Sequence, residues 1–284
     1  PSPPPPPLAP PPTTGPTGPP TPPHPRLPVL CPALVCSTPV SPAVFVQRPL
    51  QLHNQLLDRG RNIMALTGLL PAGEIPGDEE MLELFKSLDT RLVDIDAGRF
   101  DDSLDPNTYD MRRAVNDPDL GTPVPSEQDA ASIGRRSRFA PVYLVWDEDG
   151  LDRVILPVRG AGMWSMMYGY IAVEPDFTTI AGMTFYEQAE TPGLGDQITH
   201  AHWLEQWQGK QVYDDQGVPR FNVSEGAVDP GAVHAPHQVD GLTGATVTGD
   251  AVTHLVQYWF GPHGYKGLLD HMKEVPPQRK EAES

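Results

Sequence analysis

The sequence has little cysteine and little positive charge. Only two of its 284 residues are cysteine, Cys31 and Cys36. Two thiols cannot by themselves complete a structural zinc site or an iron–sulfur cluster. Both lie in an apolar stretch, so they are predicted to be inert hydrophobic residues rather than a disulfide. Twenty Lys and Arg residues stand against 37 Asp and Glu, a net charge of −17. This balance argues against a nucleic-acid partner, because phosphate binding needs a cationic surface.

Proline, by contrast, is abundant, and it is concentrated at the start of the chain. The sequence has 36 prolines, and 15 of them fall within the first 25 residues. Proline lacks a backbone donor and fixes φ, so such a segment forms neither helix nor sheet. Residues 1–26 are therefore predicted to be a disordered proline-rich tail.

Residues 27–47 form an uncharged run between two arginines. The run is long enough to span a bilayer as a helix, and it resembles a signal anchor more than a cleaved signal peptide. We therefore expect a transmembrane anchor here, although four prolines interrupt it: Pro28, Pro32, Pro39 and Pro42.

Residues 48–138 are predicted to be a helical and irregular membrane-proximal part of the soluble region. Apolar residues at helical spacing predict one helix before Gly68 and another from about Asp78 to Leu88. The alternation in residues 91–96 predicts a strand, and the polar residues 98–138 predict a long irregular excursion.

Residues 139–275 carry the strongest secondary-structure signals. Residues 142–146 and 151–158 predict a β-hairpin around Asp147–Gly150, and residues 168–173 and 178–186 predict two more strands. Helices are expected over 198–207 and from about residue 246 to residue 260. Strands in succession, flanked by helices, indicate an α+β fold with a mostly antiparallel sheet. Residues 276–284 are predicted to be a disordered tail.

The stretch Asp240-Gly-Leu-Thr-Gly-Ala-Thr-Val-Thr-Gly-Asp250 precedes the last apolar-periodic run. Threonine is a preferred N-cap residue, so a helix is expected to begin near Thr246 to Thr248. A helix N-terminus offers free N–H groups to a phosphate, and Gly244 lets a ligand approach the backbone. The pattern fits a phosphate held beside a threonine hydroxyl, and it also fits an ordinary capped turn.

A second glycine-rich loop, Glu190-Thr-Pro-Gly-Leu-Gly195, follows the strand that ends near Tyr186. Such a loop can lay backbone amides along a planar ring, or it can simply connect a strand to a helix. Trp164 and Tyr168 could flank an aromatic cofactor, although such residues are more often part of a core. No metal site is expected, because His200 and His202 have no third ligand nearby, and no catalytic residue is assigned.

These stretches resemble a known family. Residues Asp240 to Thr246 resemble the flavin-transferase recognition motif Asp-x-x-(Ser/Thr)-Gly-Ala-Thr. Glu190 to Gly195, together with Gly162–Ser165 and Met167–Gly169, resembles the FMN-binding domain found in the C subunits of sodium-translocating NADH:quinone reductases. The resemblance covers roughly residues 34–275, with further matching stretches at 34–37, 48–51, 62–63, 91–96 and 258–265.

The resemblance implies a cofactor and its ligands. In this family FMN is joined through a phosphoester to the last threonine of the motif, which is Thr246 here. It also implies that the other motif residues present the threonine and that a second set lines the isoalloxazine ring. The presenting residues are Asp240, Thr243, Gly244 and Ala245, and the ring-lining residues are Glu190, Thr191, Leu194 and Gly195, with Trp164 as a wall.

The resemblance further implies an electron carrier that relays electrons from NADH toward quinone and is coupled to Na⁺ export. The implied partners are subunits A, B, D, E and F, and a flavin transferase for maturation. The implied location is the bacterial inner membrane, with one span and a periplasmic FMN domain.

Two alternatives remain open. One is the G subunit of an Rnf-type ion-translocating complex. Residues 62–68 and the excursion at 98–138 favour the quinone reductase over this alternative. The other is a non-catalytic interaction protein that has lost its flavin. The intact motif from Asp240 to Thr246 argues against this alternative.

Overall fold

The computed structural model describes residues 57–69 and 76–280. The predicted proline-rich tail (1–26) and anchor (27–47) lie outside the described residues, and so do residues 281–284. In the part of the chain that the structure describes, no helix is long and apolar enough to cross a bilayer. The described residues belong to one compact unit.

A six-stranded sheet in the order β2-β1-β5-β6-β7-β8 forms the centre of this unit, and every neighbouring pair in it is antiparallel. Its strands are β1 (Asp89–Asp94), β2 (Arg99–Asp101), β5 (Phe139–Trp146), β6 (Leu151–Ala161), β7 (Met166–Val173) and β8 (Ile180–Glu187). Two small sheets pair β3 (Gly121–Pro123) with β4 (Arg135–Ser137) and β9 (Asn222–Val223) with β10 (Gln238–Val239).

The helices flank the sheet. They are α1 (described over residues 57–67), α2 (Asp78–Lys86), α3 (Met111–Ala114), α4 (Ala201–Leu204), α5 (Thr246–Trp259) and α6 (Lys266–Glu274). The predicted α+β fold with a mostly antiparallel sheet is thus confirmed.

The hairpin of β5 and β6 forms where the sequence predicts it. The Asp147 carboxylate accepts hydrogen bonds from the backbone N–H groups of Asp149 and Gly150, at 2.8 and 2.9 Å. Gly150 has φ of 134°, which a side chain would disfavour. The turn residues therefore fix the register in which β5 and β6 pair.

Before residue 139, the helix predicted from about Asp78 and the strand predicted over residues 91–96 are present as α2 and β1. Strand β1 pairs with β5 along its whole length, so it belongs to the same sheet as the later strands. Arg138 donates two hydrogen bonds to Asp94, at 2.9 and 2.7 Å, and fastens the two segments together. A boundary at residue 138 therefore does not separate two bodies, and the excursion at 98–138 contains β2, α3, β3 and β4.

The helix predicted over residues 198–207 is broken into short turns. A 3₁₀ turn covers Gly195–Thr199, α4 follows, and a second 3₁₀ turn covers Glu205–Trp207. His200 lies between the first two with φ −79° and ψ 133°, an extended conformation that stops the helical bonding. The apolar pattern alone does not predict this interruption, because Trp203 and Trp207 keep helical spacing after it.

Helices α5 and α6 cover one face of the sheet. The indole N–H of Trp259 donates to the carbonyl of Arg159 at 2.7 Å, and the Tyr265 hydroxyl donates to the carbonyl of Pro157 at 2.6 Å. The two rings stack with centroids 5.1 Å apart. Gly160 allows this approach, since a Cβ there would lie 3.0 Å from the Cβ of Leu255. Helix α5 is thus held firmly against β6.

The opposite face of the sheet carries a cluster of tyrosines beneath α1. Tyr143 and Tyr170 pack edge to face with ring centroids 6.2 Å apart, and Tyr170 stacks on Tyr186 at 5.0 Å. The Arg59 guanidinium of α1 lies beside Tyr143 and Tyr170. Burial raises the pKa of Tyr143, and it raises the pKa of Tyr170 to about 12.

This cluster predicts a loss of stability at alkaline pH. Because the folded-state pKa of Tyr170 exceeds the unfolded value near 10, its stabilisation is complete below about pH 10 and is lost as the pH rises through about 12. We expect Tyr170 to contribute on the order of 2 kcal/mol to that loss. Urea unfolding at pH 9 and pH 11.5 measures it. Tyr170→Phe should lose less stability over the interval than the wild type, and an equal loss in both proteins would contradict the assignment.

Candidate functional site

The threonine-rich motif forms the start of α5. Thr246 is the first residue of this 14-residue helix, and Ala245 precedes it without a side-chain capping bond. The predicted start of the helix near Thr246 to Thr248 is confirmed, but the residue at the N-cap is Ala245 rather than a threonine. Gly244 has φ of 75°, and the N–H of Ala245 donates to the carbonyl of Leu242 at 3.0 Å, so a tight turn delivers the chain into the helix. Thr246 is exposed, with its hydroxyl not used as a cap.

The three threonines of the motif lie in different surroundings. Thr243 is exposed in the turn, and Thr246 is exposed at the helix start. Thr248 is only 1% exposed, and its hydroxyl donates to the carboxylate of Glu190. Thr248 is a site residue that sequence reasoning missed. The sequence offers one signal for it, a polar residue about one helical turn before the buried apolar stripe of α5.

The loop Glu190–Gly195 packs directly on this first turn. Glu190 is 4% exposed, whereas Leu194 is 41% exposed. Gly195 is buried, and a Cβ there would lie 2.7 Å from Oγ1 of Thr248. Gly244 is close to Leu194, because a Cβ on Gly244 would lie 3.0 Å from Cδ2 of Leu194. The structure thus brings together the two glycine-rich stretches that the sequence singled out.

Trp164 joins the same site from the turn between β6 and β7. Its indole Nε1 donates to Oγ1 of Thr191 at 3.0 Å, and its backbone N–H donates to Oε1 of Glu190 at 3.3 Å. The side chain is nonetheless 65% exposed. The indole therefore projects from the site with its position fixed by the loop. Tyr168 does not join it, because its ring packs against Arg112 and Tyr186 instead.

Asp240 lies behind the motif and holds its base. Its carboxylate accepts from the N–H of Val228 at 2.7 Å, and its own N–H donates to the side chain of Gln206 at 2.9 Å. Its carbonyl accepts from the indole of Trp203 at 2.8 Å. Asp240 is thus a brace between three segments, and its carboxylate is already committed to a backbone donor.

The site has the features that a phosphorylated planar group requires. The first N–H groups of a helix have no intrahelical acceptors and carry the positive end of its dipole, which suits a phosphate. Beside them, four large apolar side chains are exposed: Met163, Trp164, Leu194 and Val247. A planar ring can cover this apolar surface while a phosphate reaches the Thr246 hydroxyl. The residues present therefore fit FMN.

Among the described residues, no three His, Cys, Asp or Glu side chains are grouped closely enough to hold a metal ion. His200 and His202 are both exposed, with ring centroids 5.9 Å apart.

Comparison with known proteins gives consistent matches. The family model of the FMN-binding domain matches residues 162–261. The C subunit of the Na(+)-translocating NADH-quinone reductase of Pseudomonas aeruginosa is 43% identical over 249 residues, covering 87% of this chain and 93% of that protein. The corresponding protein of Vibrio anguillarum is 40% identical over 247 residues, with the same coverage of 87% and 93%.

Solved structures agree with the sequences. The crystal structure of Shewanella oneidensis NqrC matches with a TM-score of 0.69 at 35% identity, covering 78% of this chain and 98% of that one. With sequence identities of this size over nearly the full length of its relatives, the chain belongs to the NqrC family, the C subunits of Na(+)-translocating NADH-quinone reductases.

Proposed function

We propose that this chain is the FMN-carrying electron-transfer subunit of a Na⁺-translocating NADH:quinone reductase, with FMN joined to Thr246 through a phosphoester. The observation that carries the proposal is the position of Thr246. Its exposed hydroxyl is the first side chain of α5, next to the free N–H groups of the helix start. Family membership supplies the chemistry that this geometry supports.

The contacts of the surrounding residues support the roles that we propose for them. Gly244 and Ala245 form the turn that exposes Thr246, with Thr243 beside it, and Asp240 braces the base of that turn. The loop of Glu190, Thr191, Leu194 and Gly195 takes the isoalloxazine ring, and the exposed indole of Trp164 forms a wall of the ring site.

Bound FMN supplies the capacity to take up and release electrons, while the protein supplies position and local charge. A phosphoester link leaves the ring chemically unmodified, so the ring's electronic properties are set by the pocket around it. A tethered, partly exposed flavin suits transfer between neighbouring subunits better than reaction with a diffusing substrate. The proposed partners are subunits A, B, D, E and F of the complex, and a flavin transferase that attaches the FMN. The proposed location is the inner membrane, with a single span and the FMN domain on the periplasmic side.

The proposal is tested by co-expressing the full chain with a flavin transferase and separating the product on a denaturing gel. We expect a band whose flavin fluorescence survives denaturation, and an intact mass increased by one FMN less one water. The same chain expressed without the transferase is the control and should be dark. Folded protein that stays dark with the transferase present would contradict the proposal.

A further inference from the structure

Glu190 is a buried carboxyl group that connects the loop to two other segments of the site. Its Oε1 accepts from the backbone N–H of Trp164 at 3.3 Å, and its Oε2 accepts from the hydroxyl of Thr248. Both partners can donate, so each carboxylate oxygen has a hydrogen-bond donor from the protein. Among the described residues, no Lys, Arg or His lies within ion-pair distance of it.

Glycines at two positions allow the neighbouring segments to approach Glu190 closely. A Cβ on Gly162 would lie 2.4 Å from Oε1 of Glu190, and a Cβ on Gly195 would lie 2.9 Å from Cβ of Glu190. Glycine at these two positions lets the 162–164 turn and the 190–195 loop close over the carboxylate. The carboxylate is therefore fixed between Trp164 on one side and the first turn of α5 on the other.

The pair of Glu190 and Thr248 lies between the two ends of the proposed flavin site. Thr248 follows the proposed attachment residue Thr246 by two positions, and Glu190 is the first residue of the proposed ring-binding loop. A bond between them holds the loop at a set distance from the attachment point. It also keeps a negative charge beside the ring-binding surface, where low dielectric makes its field strong.

We propose that Glu190 and Thr248 form a positioning pair that fixes the ring-binding loop to α5 and lowers the reduction potential of the bound FMN. The inference rests on the proposed function. Each electron that enters the flavin adds negative charge to it. A buried carboxylate held beside the ring opposes that charge, whereas an exposed carboxylate is screened by water and salt.

The measurement is the midpoint potential of the attached flavin by spectroelectrochemistry, on full-length protein co-expressed with the transferase. In Glu190→Gln, which removes the charge at almost constant volume, we expect flavin still attached at Thr246. At a fixed applied potential, the ratio of reduced to oxidised flavin should rise about tenfold. For a one-electron couple this corresponds to a midpoint potential about 59 mV higher. Glu187→Gln is the matched control, because Glu187 is an exposed carboxylate three residues earlier that pairs with Arg112. Its ratio should stay within about twofold of the wild type.

Thr248 variants test the second half of the pair without touching the carboxylate. Thr248→Val removes the hydroxyl that fixes Glu190 and should raise the ratio in the same direction, whereas Thr248→Ser keeps the hydroxyl and should keep the wild-type potential. Equal midpoint potentials in the wild type and Glu190→Gln would contradict the proposed role of the pair. Equal shifts in Thr248→Val and Thr248→Ser would also contradict it. Wild-type protein without attached flavin would instead overturn the proposed function, and the pair with it.

Discussion

Thr246→Ala is expected to abolish covalent flavin attachment while leaving the fold intact. The substitution removes the only exposed hydroxyl at the start of α5, and alanine is well tolerated in the first turn of a helix. Thr248 cannot replace it, because its hydroxyl is buried and bonded to Glu190. After co-expression with the transferase, we expect no fluorescence on a denaturing gel and an intact mass without the FMN increment.

Two controls separate loss of the acceptor from loss of the fold. Thr246→Ser keeps a hydroxyl at the same backbone position and should retain attachment. Thr108→Ala changes an exposed threonine outside the motif and should also give a fluorescent band. The urea midpoint of Thr246→Ala should match the wild type. A fluorescent Thr246→Ala band would mean that another residue accepts the flavin.

Trp259→Ala is expected to lower the free energy of unfolding by about 3–5 kcal/mol, the range for truncating a buried tryptophan. Trp259 is fully buried at the end of α5, and three contacts depend on it. Its indole donates to the Arg159 carbonyl, its ring stacks on Tyr265, and its own carbonyl accepts from the N–H of Tyr265. The alanine variant loses the first two and leaves a cavity between α5 and β6. Urea unfolding monitored by circular dichroism measures the change.

Trp259→Phe is the matched control for this prediction. Phenylalanine keeps part of the ring packing but cannot donate to the Arg159 carbonyl, so a smaller loss of stability is expected. The decrease in the free energy of unfolding of Trp259→Phe measures the contribution of the hydrogen bond and of the lost part of the ring system. The additional decrease in Trp259→Ala measures the contribution of the remaining apolar burial. An alanine variant within about 1 kcal/mol of the wild type would show that α5 is held to the sheet by other contacts.

Local signals predicted the parts of the fold that depend on neighbouring residues. The hairpin of β5 and β6 follows from alternation around an Asp-and-Gly turn, and α5 follows from its apolar stripe. Pairing of β1 with β5 could not be predicted in this way, because its partner residues lie about 50 positions apart and no turn links them. The interruption at His200 depends on one pair of backbone angles, which the side-chain pattern does not encode.

The same limit applies to the candidate site. The two glycine-rich stretches were identified from the sequence because glycine and threonine at fixed spacing have few structural explanations. Their contact with each other was expected only from the family resemblance. The bond from Thr248 to Glu190 was not predicted at all, since a threonine near a helix start is usually a cap or a solvent-exposed residue. Only the packing of the 190–195 loop on α5 identifies it as a buried partner.

The hydrogen bond from Trp259 to Arg159 joins residues 100 positions apart. Helix α5 can dock only after the strands β6 to β8 and the segment that follows them have left the ribosome, so this contact cannot form earlier during synthesis. Because loops closed over such distances are entropically costly, long-range docking is a slow step. Thr246 stands at the start of the helix that docks, and its surroundings are complete only when that step is over. If the proposed transferase requires the assembled turn, it would attach FMN only to folded molecules, and the flavin content of a preparation would then report the fraction that has folded correctly.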